Sequence, residues 1–214
     1  MAAINRFELS LRQAYPIMKE ATSETHFDSH YIYHTAWAIR KLKEIAPEEH
    51  IDISSSLYFA GMASSICPMT FLDYRPADLC VQNLQVGKCD LRRLDIPDDS
   101  VPSLSCMHVV EHIGLGRYGD DLDYDGDLKA IGELKRVISK GGDLLFVVPI
   151  GRPQIMFNAH RIYSYQQIVE AFEGFELREF YLIPDDAGHP IENATEEQSD
   201  QQEYGCGCFW FKKF

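Results

Sequence analysis

"HIDISSSLYFAG", residues 50–61, joins a short apolar run to a small-residue segment through Asp52 and three consecutive serines. Its first residues have the composition of a buried strand, and residues 57–66, "LYFAGMASSI", read as a helix. A strand that ends on an acidic residue and turns at once into a helix is the opening unit of an alternating α/β chain.

The chain keeps that alternation. "MTFLDY" (69–74) is a second strand ending at Asp73, "LQVGKCD" (84–90) a third and "VPSLSCMHVV" (101–110) a fourth. "GGDLLFVVPI" (141–150) is a fifth, apolar almost throughout, which marks a strand buried on both faces at the centre of a parallel sheet. Between the last two, residues 125–139 place Leu128, Ile131, Leu134, Val137 and Ile138 on one helical stripe, with Asp125 or Asp127 as N-cap and Gly141 just past the end. Residues 164–175 read as a helix and "ELREFYLI" (176–183) as a sixth strand. The acidic stretch 184–202 reads as an exposed loop leading to a last strand, "GCGCFWFKK" (205–213). That loop is too polar for a crossover helix, so the closing strands should be antiparallel. Upstream, residues 31–45 put Tyr31, His34, Thr35, Ala38, Ile39, Leu42 and Ile45 on one mainly apolar helical face. The expected fold is a doubly wound α/β domain with a mostly parallel seven-stranded sheet and an antiparallel last strand. Residues 48–214 form this domain, and N-terminal helices within 1–47 pack on it as part of one structural domain.

At 214 residues, 45% of them hydrophobic, the chain is long enough for one full core. A net charge of −13 would repel phosphate backbones and anionic lipid, which excludes nucleic acid and membrane surfaces as general partners and points to a small-molecule substrate. Arg6, Glu8, Arg12 and Lys19 interrupt the apolar positions of the first twenty residues, so no secretory signal is expected and the predicted location is cytoplasmic. Several of the six cysteines lie in apolar runs, as reduced buried thiols do. Cys206 and Cys208 share a strand face, a spacing suited to a metal or redox pair, but no second cysteine pair completes a site, so no metal is assigned.

Ligands of such sheets bind beyond the carboxyl ends of the strands, and those ends carry concentrated chemistry here. Asp73 follows Ser54 at about the spacing at which a carboxylate accepts the hydroxyl protons of a bound ribose. "HVVEHIGLGRYGD" matches the zinc-peptidase pattern H-x-x-E-H at His108, Glu111 and His112, yet it follows a strand and its glycines leave no room for the helix that pattern needs. His112 is better read as a base for an acceptor hydroxyl or amine, with Glu111 as its orienter. In "PIGRPQIMFNAHRIYS", Arg152, Asn158, His160 and Arg161 follow the fifth strand, and the arginines suit bidentate capture of a carboxylate or phosphate. Tyr118 joins them as a substrate-side residue. The two arginines serve equally as partners of the acidic residues 120–127 in a structural network.

Taken in order, Asp52 with its turn, "FLDYRP", "GKCDLRRLDIPDDS", "SLSCMHVVEHIG" and "ELKRVISKGGDLLFVVPIG" resemble class I S-adenosylmethionine-dependent methyltransferases over residues 48–183. More narrowly, "HVVEHIGLGRYGD" and "FNAHRIYS" resemble an uncharacterised bacterial family, a domain of unknown function often encoded among surface-polysaccharide genes. The resemblance implies that S-adenosylmethionine is the cofactor, with Asp52 beside its methionine part and Ser54 and Ser56 in the binding turn. It further implies Asp73 on the ribose, Asp90 at the adenine amino group, Leu91 packed nearby and His108 on the floor. The chain departs from that family at the turn, where Gly-x-Gly-x-Gly is replaced by Ser54, Ser56 and Tyr58. A serine forced into a left-handed conformation costs about 1–2 kcal/mol.

The leading expectation is a methyltransferase acting on a small polar acceptor such as a sugar or polysaccharide precursor. A fold that has lost the cofactor and serves as a binding or scaffold protein is the alternative, and a nicotinamide-dependent oxidoreductase a lesser one. The amino-terminal segment and the helix carrying Trp37 are candidates for a cleft cap or a homodimer contact.

Overall fold

The computed structural model describes residues 10–186 and 188–214. Its strands are β1 (His50–Ile53), β2 (Met69–Asp73), β3 (Leu84–Lys88), β4 (Val101–Met107), β5 (Ile138–Ile150), β6 (Gln154–Met156), β7 (His160–Ile162), β8 (Phe175–Ile183), β9 (Ile191–Glu192) and β10 (Gly205–Lys213). The helices are α1 (Ser29–Ile45), α2 (Leu57–Ala63), α3 (Gly126–Val137), α4 (Tyr165–Ala171) and α5 (Glu196–Asp200). The main sheet runs β3-β2-β1-β4-β5-β10-β8-β9. Its first five strands pair in parallel, and β10 lies antiparallel between β5 and β8. This is the doubly wound, mostly parallel sheet the alternation predicts.

The periodicity of β5 shows why it holds the centre. Leu144, Phe146, Val148 and Ile150 pack with Ala130, Ile131 and Leu134 of α3 and Ile168 of α4, whereas Leu145 and Val147 pack with Trp37, Ala38 and Leu42 of α1 and Phe59 and Ala60 of α2. β10 divides in the same way, sending Phe209 and Phe211 to the first core and Cys206 and Cys208 to the second. Each fully buried Leu or Phe side chain contributes about 1.5–3 kcal/mol, so two complete cores make this sheet the main source of stability.

Several local features differ from the sequence reading. The two-residue β9 adds an eighth strand at the edge, and β6 and β7 form a separate hairpin. The acidic stretch 184–202 also holds α5, started by a capping box between Thr195 and Gln198. The expected helix 125–139 stops at Val137, because Ile138 already pairs with Val101 and the chain passes straight into β5. Leu128, expected on its apolar stripe, is 55% exposed. In α1 the buried face rotates to include Trp37, whose indole N–H donates to Glu179, while Tyr31 is 44% exposed. Trp37 is therefore a core anchor. No helix among the described residues is long and apolar enough to cross a membrane.

Candidate functional site

The strand order reverses between β1 and β4, and the candidate residues gather beyond the carboxyl ends of that pair and of β2 and β3. A cavity of about 160 Å³ is lined there by Ser54, Asp73, Asp90, Leu91, His108 and Tyr118, among others. His108 and His112 also line an open cleft of about 1110 Å³, so the two spaces share a wall. Five of the seven residues assigned to cofactor binding thus meet at one cavity.

The other two do different work. Asp52 is fully buried, accepting the Ser55 backbone N–H at 3.1 Å and the Ser105 hydroxyl on its other oxygen. Burial raises its pKa to about 7. Its carboxyl group fixes the turn from inside the protein and does not line either space. Ser56 caps α2, its hydroxyl oxygen accepting the Phe59 N–H at 3.1 Å, and is likewise absent from the lining.

Ser54 occupies the turn position where the resembled family has glycine. Its φ is 56°, the left-handed conformation that glycine would adopt at this junction. A serine there takes the backbone shape of the glycine it replaces, and we expect the strain to fall on folding rather than on binding. Its N–H and hydroxyl both donate to the Leu72 carbonyl oxygen, at 2.8 and 3.3 Å. Ser54→Gly should consequently raise unfolding free energy by at most about 1 kcal/mol, relief of left-handed strain being offset by glycine's greater chain entropy. Calorimetric affinity for a nucleoside ligand should stay within about twofold, and a tenfold gain would place the strain on the binding side instead.

Asp73 is half-buried at the end of β2, with Oδ1 accepting the Arg75 N–H at 2.6 Å. Asp90 is held by Arg92 through Nε at 3.2 Å and a terminal nitrogen at 3.0 Å, and these hydrogen bonds lower its pKa. Leu91 is a buried apolar wall. Arg75 lies over the Tyr118 ring, 4.6 Å from its centroid. Carboxylates beyond the ends of β2 and β3, an apolar wall and a left-handed turn at one cavity are residues of the kind that would hold the nucleoside part of S-adenosylmethionine.

At the shared wall, Glu111 is 1% exposed and sits between two imidazoles. Its Oε1 is 3.0 Å from His108 Nδ1 and 3.7 Å from His112 Nε2. The segment Val110–His112 is a single 3-10 turn, which confirms that H-x-x-E-H does not form a peptidase helix here. His112 Nδ1 donates to the Ala159 carbonyl oxygen at 2.7 Å, leaving Nε2 as the proton acceptor. Burial lowers the His112 pKa, with Glu111 opposing the shift, so the ring is neutral at pH 7. Around His108, burial disfavours a charge, but the Cys206 sulfur and the Glu111 carboxylate carry its pKa up to about 10.

Of the remaining substrate-side residues, Asn158 and His160 line the open cleft and Tyr118 the smaller cavity. The arginines require correction. Arg152 is exposed and touches neither space. Arg161 is 4% exposed and donates to the carbonyl oxygens of Ile113 and Tyr124 at 2.7 and 3.0 Å, with Asp127 3.5 Å from its Nε. It tethers the loop 113–124, the structural reading of the pair. That loop is drawn in tightly: a Cβ on Gly114, whose φ is 78°, would stand 2.1 Å from the Asp123 carbonyl oxygen. Arg117 is the cleft's arginine, α1 adds His30 and Tyr31, and the chain before β10 adds Tyr204. Nothing in local spacing marks these residues, because long-range folding brings them to the cleft.

The fold is the Rossmann-like fold of class I S-adenosylmethionine-dependent methyltransferases. The N-methyltransferase NodS of Bradyrhizobium japonicum, solved with S-adenosyl-L-homocysteine, shares 13% identity at a TM-score of 0.63, covering 86% of this chain and 87% of that one. A S-adenosylmethionine-dependent methyltransferase from Thermotoga maritima shares 15% at 0.55, covering 86% and 93%. The [4+2]-cyclase SpnF shares 13% at 0.53, covering 82% and 80%, so the same fold also carries a different reaction. No curated protein matches the chain. The family model described as "Caenorhabditis protein of unknown function, DUF268" matches residues 99–212, and the protein belongs to that family.

Proposed function

We propose that the protein is an S-adenosylmethionine-dependent methyltransferase acting on a small neutral or basic acceptor, with sugar hydroxyls of polysaccharide precursors as the first class to test. The observation that carries this reading is the meeting of Ser54, Asp73, Asp90 and Leu91 at one cavity that shares His108 and His112 with a large cleft. The smaller cavity is below the roughly 300–1,000 Å³ of small-molecule sites, so a ligand of this kind has to extend into the cleft. Asp28, Glu111, Asp185 and Glu203 line that cleft against the single arginine Arg117. This balance disfavours phosphorylated acceptors, and the removal of Arg152 and Arg161 from the site takes away their anchors.

When bound, S-adenosylmethionine supplies an electrophilic methyl group. Asp73 would hold the ribose, Leu91 would pack on the base and Asp90 would meet its amino group after releasing Arg92. His112 Nε2 takes the proton of the acceptor hydroxyl or amine, and Glu111 Oε1 stabilises the imidazolium that results. Neutral His112 is the active form and its pKa lies below the ordinary 6.5. Methyl transfer should therefore be flat from neutral pH down past 6.5 and fall only on further acidification. A limb centred above pH 7 would exclude His112 as the base.

Isothermal titration with S-adenosylmethionine and S-adenosylhomocysteine tests the reading, with one site per chain expected and no heat at millimolar ligand contradicting it. The Asp90–Arg92 pair across a small cavity favours the cofactor-free scaffold, which an empty titration would leave standing. NADH should give no fluorescence change. A cytoplasmic location, a homodimer and the bacterial polysaccharide context belong to this proposal.

A further inference from the structure

Three side chains from distant parts of the chain meet at the cleft, with His30 and His108 in its lining and Cys206 fully buried. A ring nitrogen of His30, one of His108 and the Cys206 sulfur all lie within 4.8 Å of one another. His108 Nε2 and Cys206 Sγ are 3.4 Å apart. Tetrahedral bonds of about 2.0–2.1 Å to nitrogen and about 2.3 Å to sulfur set such a pair roughly 3.5 Å apart, so this edge already has the length a shared metal requires. His30 stands half-buried in the first turn of α1 and is the ligand that would have to move inward to complete the site.

We propose that His30, His108 and Cys206 form a binding site for a transition-metal ion of the zinc class, with a fourth coordination position open to the cleft. The surroundings are those of a built site. His108 Nδ1 donates to Glu111 Oε1 at 3.0 Å, the carboxylate–histidine pairing that orients a ligand and directs metal to Nε2 in exchange for its proton. Glu111 is 1% exposed, and its Oε2 has no hydrogen-bond partner among the described residues. A buried carboxylate oxygen without a donor is costly, and a divalent cation one ligand away offsets that cost. The donor set of two imidazoles and a thiolate selects zinc, cobalt(II) or copper over magnesium and calcium, which prefer oxygen. On binding, the Cys206 thiol and the protonated His108 Nε2 each release a proton to solvent, His108 keeps its Nδ1 proton, and no electron is transferred. Three protein ligands and an open position are the arrangement of reactive rather than structural zinc. Use of that position to hold an acceptor oxygen or nitrogen rests on the methyl-transfer reading, whereas metal binding itself does not.

Full-length protein without an affinity tag, reduced and stripped with chelator, should be titrated with cobalt(II) near neutral pH. One equivalent should produce tetrahedral visible bands and a near-ultraviolet thiolate-to-cobalt charge-transfer band, both erased by one equivalent of zinc(II). Cys206→Ser should remove the charge-transfer band. His30→Gln should weaken zinc binding by more than about 100-fold and Glu111→Gln by about 10–100-fold, the range for residues supporting a metal ligand. Cys80→Ser, at an exposed cysteine, should change nothing. The proposal is overturned if wild-type protein gives no charge-transfer band, if Cys206→Ser retains it, or if His30→Gln binds zinc as the wild type does. His30 is partly exposed, so that variant keeps the test decisive should the buried serine fail to fold. All readings are taken without S-adenosylmethionine, so this result and that of the cofactor titration are separable.

Discussion

Asp73→Ala should weaken S-adenosylhomocysteine binding by about 100-fold or more while the Tm stays within a few degrees of the parent. Hydrogen bonds to a charged group contribute about 1.5–3 kcal/mol each, and a ribose offers Asp73 two hydroxyls, so losing both exceeds the roughly 2.8 kcal/mol of a hundredfold change. The folded protein loses little, because Asp73 is half-buried and makes one turn hydrogen bond, to the Arg75 N–H. Calorimetry gives the affinity and thermal unfolding the stability. Equal affinity in the variant would mean that the ribose does not sit at the end of β2. A large fall in Tm would mean that Asp73 is a structural residue.

Arg161→Ala should lower stability by about 3–5 kcal/mol, because it strips a buried aspartate and several buried carbonyls of their donor. At about 2–4 °C per kcal/mol for a chain of this size, the Tm should fall by roughly 10 °C. Tyr163 still donates to Asp127 at 2.9 Å, so the carboxylate keeps one partner and the lower part of that range is expected. Arg152→Ala, at an exposed side chain nine residues earlier, should leave the Tm unchanged. Thermal unfolding of the two variants side by side checks this. Similar melting with weakened substrate binding in both would restore the arginines as anchors.

Those two arginines show what a sequence does and does not reveal. An arginine beyond a central strand has the same local pattern whether it faces a ligand or fills a nest of carbonyl oxygens, and only the folded loop 113–124 distinguishes them. β5 was legible because its apolar run has one physical explanation, burial on both faces, and its neighbours follow from alternation. Asp73, Asp90 and Leu91 were legible because each sits where a strand ends, a position set by the strand itself. The conformation of Ser54 follows from the same logic: the junction demands a left-handed residue whatever its side chain. Ser56 misled because a serine after a turn serves a helix cap as readily as a ligand. Cys206 was legible only as half of a cysteine pair with Cys208, and His30 not at all. They reach His108 only when α1 and β10 pack on the second core, and no spacing in the chain records that meeting.

A crystal structure of the protein with S-adenosylhomocysteine is the most direct test of the central claim, that the strand-end cavity behind Ser54 is a nucleoside site. The ribose hydroxyls should lie on Asp73, the adenine beside Leu91 with Asp90 released from Arg92, and the sulfur toward the wall formed by His108 and His112. Ligand bound elsewhere, or a cavity still closed by the Asp90–Arg92 pair at saturating ligand, would contradict it.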